Sequence, residues 1–550
     1  MARRFSQNDS LADPAGTGAS PVFPDPTPLL VASGLDADEV VRILGPYGLG
    51  NLTEADTNIQ SMAGEPHTRR LLAGILPRLL AEVARTADPD QALNHWERLF
   101  AGSANRSSLL QYLQASPRML GLLCTIFGNS DSLAFALIRD PMLVYWLAEE
   151  DVLTTAPTRE GMVAALRQSL GSLKATELKL DVLRRVRRRE MLRIGVRDLL
   201  RLATVEETVG SLSDLASVLI HAAYEIVDKD LKTQHGTPMH QRPDGTWIET
   251  EFVVIGMGKL GAHELNYSSD VDLIYVYASA DGETRKAKGN RQASIKPLSN
   301  EEYFEMLARS LTKALAEQTR EGAVFRVDLR LRAEGTVGQL ARSVEAYAKY
   351  YAQRGQVWER LALLKAWPVA GSPAVGQAFV QMAEGFVFQS DLQPLTRERA
   401  LAVIRDVRSV KEMIDEKIAV RGHQHRNVKL GTGGIREIEF LVQTIQVLIG
   451  RAVPDILDRK TVGALHRFCR HRFVNEDDQQ QLTEAYWFLR DVEHKLQMMH
   501  DLQTHALPDS HEELQRCAIR MGYYGESRKR AMEQFLADRQ RHTAVVHQTF

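Results

Sequence analysis

The stretch GMGKLGAHELNYSSDVDLIYVY, Gly256 to Tyr277, changes the character of the chain. Its second half is short, β-branched and aromatic, the composition of a strand, while the sequence far to either side reads as helix. Side chains at i and i+2 of a strand share one face about 6.5–7 Å apart, so Asp270 and Asp272 are expected to present two carboxylates side by side. Left alone they repel, and a hard divalent cation such as Mg2+ or Mn2+ relieves that repulsion. Ahead of them, Gly256, Gly258 and Gly261 let backbone N–H groups come close to a ligand, Lys259 adds a positive charge, and Ser269 puts a hydroxyl beside the first aspartate. The combination suits a phosphate or triphosphate. No G-x-x-x-x-G-K-[ST] occurs here, so the stretch is not a Walker loop, and G-x-G-x-x-G spacing alone is weak evidence for a dinucleotide.

A third carboxylate lies downstream. AVFRVDLRLR, Ala323 to Arg332, reads as a strand whose alternate positions Arg326, Asp328, Arg330 and Arg332 share a face. One acid among three arginines on an otherwise apolar strand suits metal and phosphate rather than a core. An Asp-x-Asp at a strand edge is often a solvated turn, so the weight rests on the coincidence of the glycines, the Ser-Ser-Asp-x-Asp and Asp328. His263 beside Glu264 has no partner at metal-ligand spacing and reads as a surface residue.

Composition bounds the rest. A chain of 550 residues exceeds what one hydrophobic core sustains, so two or more domains are expected. With 44% hydrophobic and 25% charged residues it reads as a globular chain, and no run of 18 apolar residues suggests a membrane span. A net charge of −2 and only 7% aromatics argue against a nucleic-acid partner, so the basic helix Leu183–Leu202 reads as a solvated or ion-paired face. Cys124, Cys469 and Cys517 are far apart and odd in number, which points to a reducing cytoplasm.

The expected fold class is α+β, largely helical. Residues 1–35 read as a disordered tail and 36–230 as a helical region. Residues 231–370 form the domain with the strands, which include GTWIETEFVVIGM (Gly245–Met257) and contain a polar basic loop and a helix from Asn300 to about Gln318. Helical periodicity returns near Ser343 and makes 371–550 a helical domain, interrupted by KLGTGGIREIEF and LQTHALPDS. The GTGG there reads equally as a phosphate-holding helix start or a plain loop. The last residues stop inside a helical pattern without a cap, so the chain is expected to continue in a longer protein.

The segments GMGKLGAHELNYSSDVDLIYVY, FRVDLRLRAEG, VWERLALLKAWPVAG, VKLGTGGIREIEFLVQ and LRDVEHKLQ, in this order, resemble the bacterial bifunctional glutamine synthetase adenylyltransferase/adenylyl-removing enzymes. SSLLQYLQASPRMLGLLCTIFGNS and LIRDPMLVYWL extend the likeness upstream, so it covers about residues 70–508. That family carries two polymerase-beta-type nucleotidyltransferase domains, and one is present here behind N-terminal helices. The resemblance therefore implies the adenylyl-removing part, in which inorganic phosphate attacks AMP-tyrosine of glutamine synthetase and gives ADP. It also implies a cation held by Asp270, Asp272 and Asp328, with Lys259, Ser269, Arg330 and Arg332 on phosphate oxygens. Lys429, Arg436 and Glu437 complete the site, and a PII-type signal protein acts as regulator. Ala333, Thr336 and Trp367 depart from the family pattern, and Trp367 removes a potential phosphate contact. A nucleotidyltransferase for an RNA end or small molecule, or a docking module with a vestigial site, are the alternatives; intact carboxylates argue against the last.

Overall fold

The structure, a computed structural model, describes residues 23–31, 35–285, 296–388, 396–419, 426–500 and 503–550. It is α+β and largely helical, with its few strands in two small sheets. The tail expected over 1–35 lies mostly outside the described residues, within which Pro28–Val31 forms one helical turn. The basic loop expected after Arg285 likewise lies outside them over 286–295. Among the described residues, no helix is long and apolar enough to cross a membrane.

The chain divides into two compact units, each gathered from three stretches: Met1–Ala156, Gly195–Ala203 and Asp491–Gln540 in the first, Pro157–Ile194, Thr204–Arg490 and Arg541–Phe550 in the second. In the first unit, prolines at the first helical turn start the helices Pro66–Ala84, Pro89–Gly102 and Pro117–Asn129, where a missing N–H costs nothing. Their apolar faces bury Leu76, Leu79, Trp96, Phe100 and Phe127 completely. The Trp96 indole N–H finds the Cys124 sulfur at 3.4 Å, which satisfies the one polar atom of that ring. All three cysteines are free.

The second unit contains both sheets. Strands β1 (Thr237–Gln241), β2 (Trp247–Glu249) and β5 (Glu283–Arg285) form the smaller one, antiparallel, in the order β2-β1-β5. The larger sheet runs β6 (Val327–Asp328), β4 (Val271–Tyr277), β3 (Phe252–Gly256), β8 (Trp367–Gly371), with β7 (Ala341–Ser343) also paired to β4. Neighbours β3 and β4 are antiparallel, whereas β4 runs parallel to β6 and β7. Period-two alternation sorts the two faces. Phe252, Tyr275 and Tyr277 stack with each other or with Phe304 of the helix Asn300–Ala316. Val253, Ile255, Ile274 and Val276 share a core with Tyr347, Phe379 and Phe386. Asp272 continues the row of Ile274 and Val276, so one strand supplies a core at one end and an acid at the other.

The strand expected over Ala323–Arg332 shortens to Val327–Asp328. Arg326 and Arg330 are drawn to neighbouring acids and Arg332 to carbonyls of its own loop, so the alternation of charge along this segment does not mark a face of a long strand. Helical sequence after Ser343 is broken by β8, which the apolar WPVAG hid among helical patterns. Pro368 is tolerated there because β8 is an edge strand, and the register with β3 shifts beside it. The helices flanking the sheet begin where capping boxes place them: Thr204 with Glu207 ahead of Val205–His235, and Ser299 with Glu302 ahead of Asn300–Ala316.

Candidate active site

At the end of β3 the chain turns through one helical turn, Gly258–Gly261, before β4. Gly258 has φ +52°, and a Cβ there would lie 2.7 Å from a carboxylate oxygen of Asp272. A Cβ on Gly261 would fall 1.8 Å from the Lys365 carbonyl. Both glycines are therefore demanded by close approach, one to the acid and one to the backbone ahead of β8. The Met257 N–H donates to the Asp272 carbonyl at 2.8 Å, tying the turn to the strand that carries the acid.

Parallel pairing sets Asp272 opposite Asp328. Burial first, then the charge of Asp328, push the Asp272 carboxyl up to about 6; Asp270 adds to the rise, and the Lys429 ammonium opposes it. Asp328 goes the other way: burial works against its charge, but the Arg330 backbone N–H at 2.8 Å and side-chain Nε at 2.9 Å hold it below the usual carboxylate value. Asp270 accepts from Arg326 Nε at 2.7 Å. Because arginines draw the two outer acids, no group of three acidic, histidine or cysteine side chains among the described residues is gathered tightly enough to hold a metal ion as it stands. The donor set nonetheless has the chemistry of a hard-cation site: three carboxylates within each other's field, the innermost disfavoured as an anion without a cation.

The remaining expected residues separate. Lys259 and Ser269 are half-buried, on the glycine turn and beside Asp270. Gly256 closes β3 opposite Leu273. Arg332 is 7% exposed and donates to the carbonyls of Leu329 at 2.7 Å, Thr336 at 3.2 Å and Gly338 at 3.1 Å, so its guanidinium supports its own loop rather than facing a ligand. The GTGG segment forms a turn ahead of the helix Ile435–Ile449, and Lys429 acts from it on both Asp272 and Glu439. Glu437 is buried, accepts from the Gly433 N–H at 3.1 Å and pairs with Lys411 at 3.1 Å, so it holds the turn. Arg436 lies 3.5 Å from Glu439. Trp367 stacks its ring under Arg459, whose guanidinium stands 4.1 Å from the centroid and bonds the Gly261 carbonyl at 3.0 Å.

A buried network behind the turn was not legible in sequence. Lys365 Nζ lies 2.8 Å from Glu439 and 4.0 Å from Glu264. Although burial opposes its charge, Lys365, Arg436 and Lys429 hold Glu439 far below the ordinary glutamate range. Glu264 accepts from the Thr461 N–H at 2.8 Å and the Tyr486 hydroxyl at 2.9 Å, and Arg490 donates to its carbonyl at 2.6 Å. Glu264, 2% exposed, ties the glycine turn to the helices after Gly434.

A glycine turn, a parallel-paired acid couple and a short mixed sheet among helices are consistent with a domain of the nucleotidyltransferase type. Comparison with known proteins agrees. A family model for glutamate-ammonia ligase adenylyltransferase matches residues 120–382, and one for GlnD PII-uridylyltransferase matches residues 408–550. The chain is 37% identical over 436 residues to the bifunctional glutamine synthetase adenylyltransferase/adenylyl-removing enzyme of Nitrosococcus oceani, which covers 79% of the chain and 42% of that relative. Relatives of the same description from Mesorhizobium japonicum (36%; 80% of the chain and 43% of the relative) and Rhizobium meliloti (41%; 62% and 33%) are similar. The chain therefore spans less than half the length of these relatives.

Proposed function

We propose that this chain removes AMP from an adenylylated tyrosine of glutamine synthetase by phosphorolysis, releasing ADP and the free phenol. The observation that carries the reading is the pairing of Asp272 with Asp328 across a parallel strand pair, one residue row from a glycine turn. Asp272 and Asp328, joined by Asp270, would hold Mg2+ or Mn2+, which when bound neutralises the acids and polarises the phosphodiester.

The chain's own groups do the rest. An inorganic phosphate oxygen attacks the α-phosphorus of the ester; a new P–O bond forms, the bond to the tyrosine oxygen breaks, and that oxygen leaves as a phenolate that takes a proton from water. Phosphate is already anionic, so little general-base help is required. The exposed end of Arg330 and the Lys429 ammonium, both of which act on Asp272, are the cations that bind and orient the phosphates. Lys259 and the N–H groups of the glycine turn supply a second cradle. A PII-type signal protein is the proposed regulator, and the cytoplasm the proposed compartment.

Incubation with adenylylated glutamine synthetase, Mg2+ and labelled phosphate tests the reading. Label appearing in ADP is the expected result. Accumulation of AMP with all the label left in inorganic phosphate would mean hydrolysis and would overturn the assigned nucleophile.

A further inference from the structure

The segment AEGTVGQ, Ala333–Gln339, follows the site directly and has an unusual construction. Its base is pinned from inside: the Arg332 guanidinium, 7% exposed, donates to the carbonyl next to Asp328 (Leu329), to the one before Val337 (Thr336), and to the one after it (Gly338). Two consecutive residues, Glu334 at φ +62° and Gly335 at φ +58°, adopt the left-handed conformation, which costs free energy at the non-glycine position. Glu334 is held there by Arg342 and, at 2.7 Å, by Arg354. A Cβ on Gly338 would overlap the Ala333 carbonyl, so the loop closes tightly on itself.

At its apex this rigid loop holds Val337 out, 89% exposed. A single exposed valine is ordinary, but a valine fixed at the tip of an internally bonded loop, tethered by one guanidinium to the residue after Asp328, is presented rather than left over. Two arginines share the Glu334 carboxylate, and of the two Arg354 remains 68% exposed. A small nucleotide has no use for an apolar knob; a polypeptide does.

We infer that Ala333–Gln339 is a docking element for the polypeptide that carries the modified tyrosine, with Val337 seated against an apolar side chain of that segment and Arg354 facing an acidic one. The inference rests on the adenylyl-removing reading and deepens it: the chemistry at Asp272 would then act on a protein because this loop selects one.

The test compares two substrates, intact adenylylated glutamine synthetase and the small ester adenylyl-tyrosine, with wild-type chain and V337D. Docking predicts that V337D lowers kcat/KM on the protein at least tenfold, the worth of one buried valine side chain lost to a charge, while the small ester changes less than twofold. Docking also predicts that KM for the protein rises more steeply with added NaCl than KM for the ester, because the docking contact is screened in addition to the phosphate contacts that both substrates share. An equal loss on both substrates, or no loss on either, overturns the docking role. A change in sedimentation of the chain alone with V337D would instead assign the loop to a second copy of this chain. No ADP from wild-type protein with either substrate overturns the enzymatic reading and takes the docking role with it.

Discussion

Asp272 is worse off as an anion in the folded chain than in the unfolded one, and that conflict is the clearest chemical signature of the site. Its folded value of about 6 lies above the ordinary 3.8, so ionisation opposes folding: the penalty is absent below about pH 4, accrues between about pH 4 and 6 and is essentially complete by about pH 7. Asp272→Asn is therefore expected to abolish ADP formation and yet to stabilise the chain at pH 8 by roughly 2–3 kcal/mol, an advantage that fades by pH 4. Urea midpoints at the two pH values check this, and a destabilised variant at pH 8 would show that the field on Asp272 is compensated. Arg332 makes the opposite kind of claim. Arg332→Lys keeps the charge but cannot reach three carbonyls in a fork, so hydrogen exchange over 333–339 should accelerate and kcat should fall more than phosphate affinity. A phosphate ligand would show the reverse, weaker phosphate binding with an unchanged loop. The acids were legible in sequence because strand alternation is local. The carbonyl partners of Arg332 were not legible, because a carbonyl leaves no mark in a residue pattern.

Among the elements, the turn ahead of β8 and the helix Ile435–Ile449 are joined behind the glycine turn by Lys365 and Glu439, both buried. A charge removed from water is tolerated when its partner is present and costly when the partner is lost. Lys365→Met leaves Glu439 buried with weakened compensation, and a loss of about 3–5 kcal/mol is expected, whereas Lys365→Met combined with Glu439→Leu should recover most of it. A double variant as unstable as the single one would mean that the pair does more than neutralise itself. At Gly261→Ala, the added methyl meets the Lys365 and Gly256 carbonyls, so the turn must shift; thermal unfolding should move down and ADP formation should fall with it. The helices flanking the sheet could be placed from their capping boxes, which are written in four consecutive residues. The strands β1, β7 and β8 could not, because three to five residues of mixed composition become a strand when a neighbour offers its edge.

For the molecule as a whole, one Ser-Ser-Asp-x-Asp constellation serves one reaction, and the proposed one consumes phosphate. The chain is accordingly expected not to label unmodified glutamine synthetase from ATP at a useful rate; the reversal of phosphorolysis would use ADP and release phosphate. Robust labelling with stoichiometric pyrophosphate would mean that the adding activity resides here. Composition, period and short motifs establish much of the protein: a largely helical α+β chain, a glycine turn leading into paired aspartates, and a third acid downstream. These properties are local, carried by residues two to six apart. The gathering of each unit from three distant stretches is not local, since it depends on which apolar faces find each other. Nor is the register that sets Asp272 against Asp328, the turn of arginines onto the outer acids, or the burial of Glu264 and Lys365 together. Apart from Arg330 on Asp328, each of these joins residues at least 56 positions apart, and their free energies come from desolvation and charge, which exist only once the chain has closed around them.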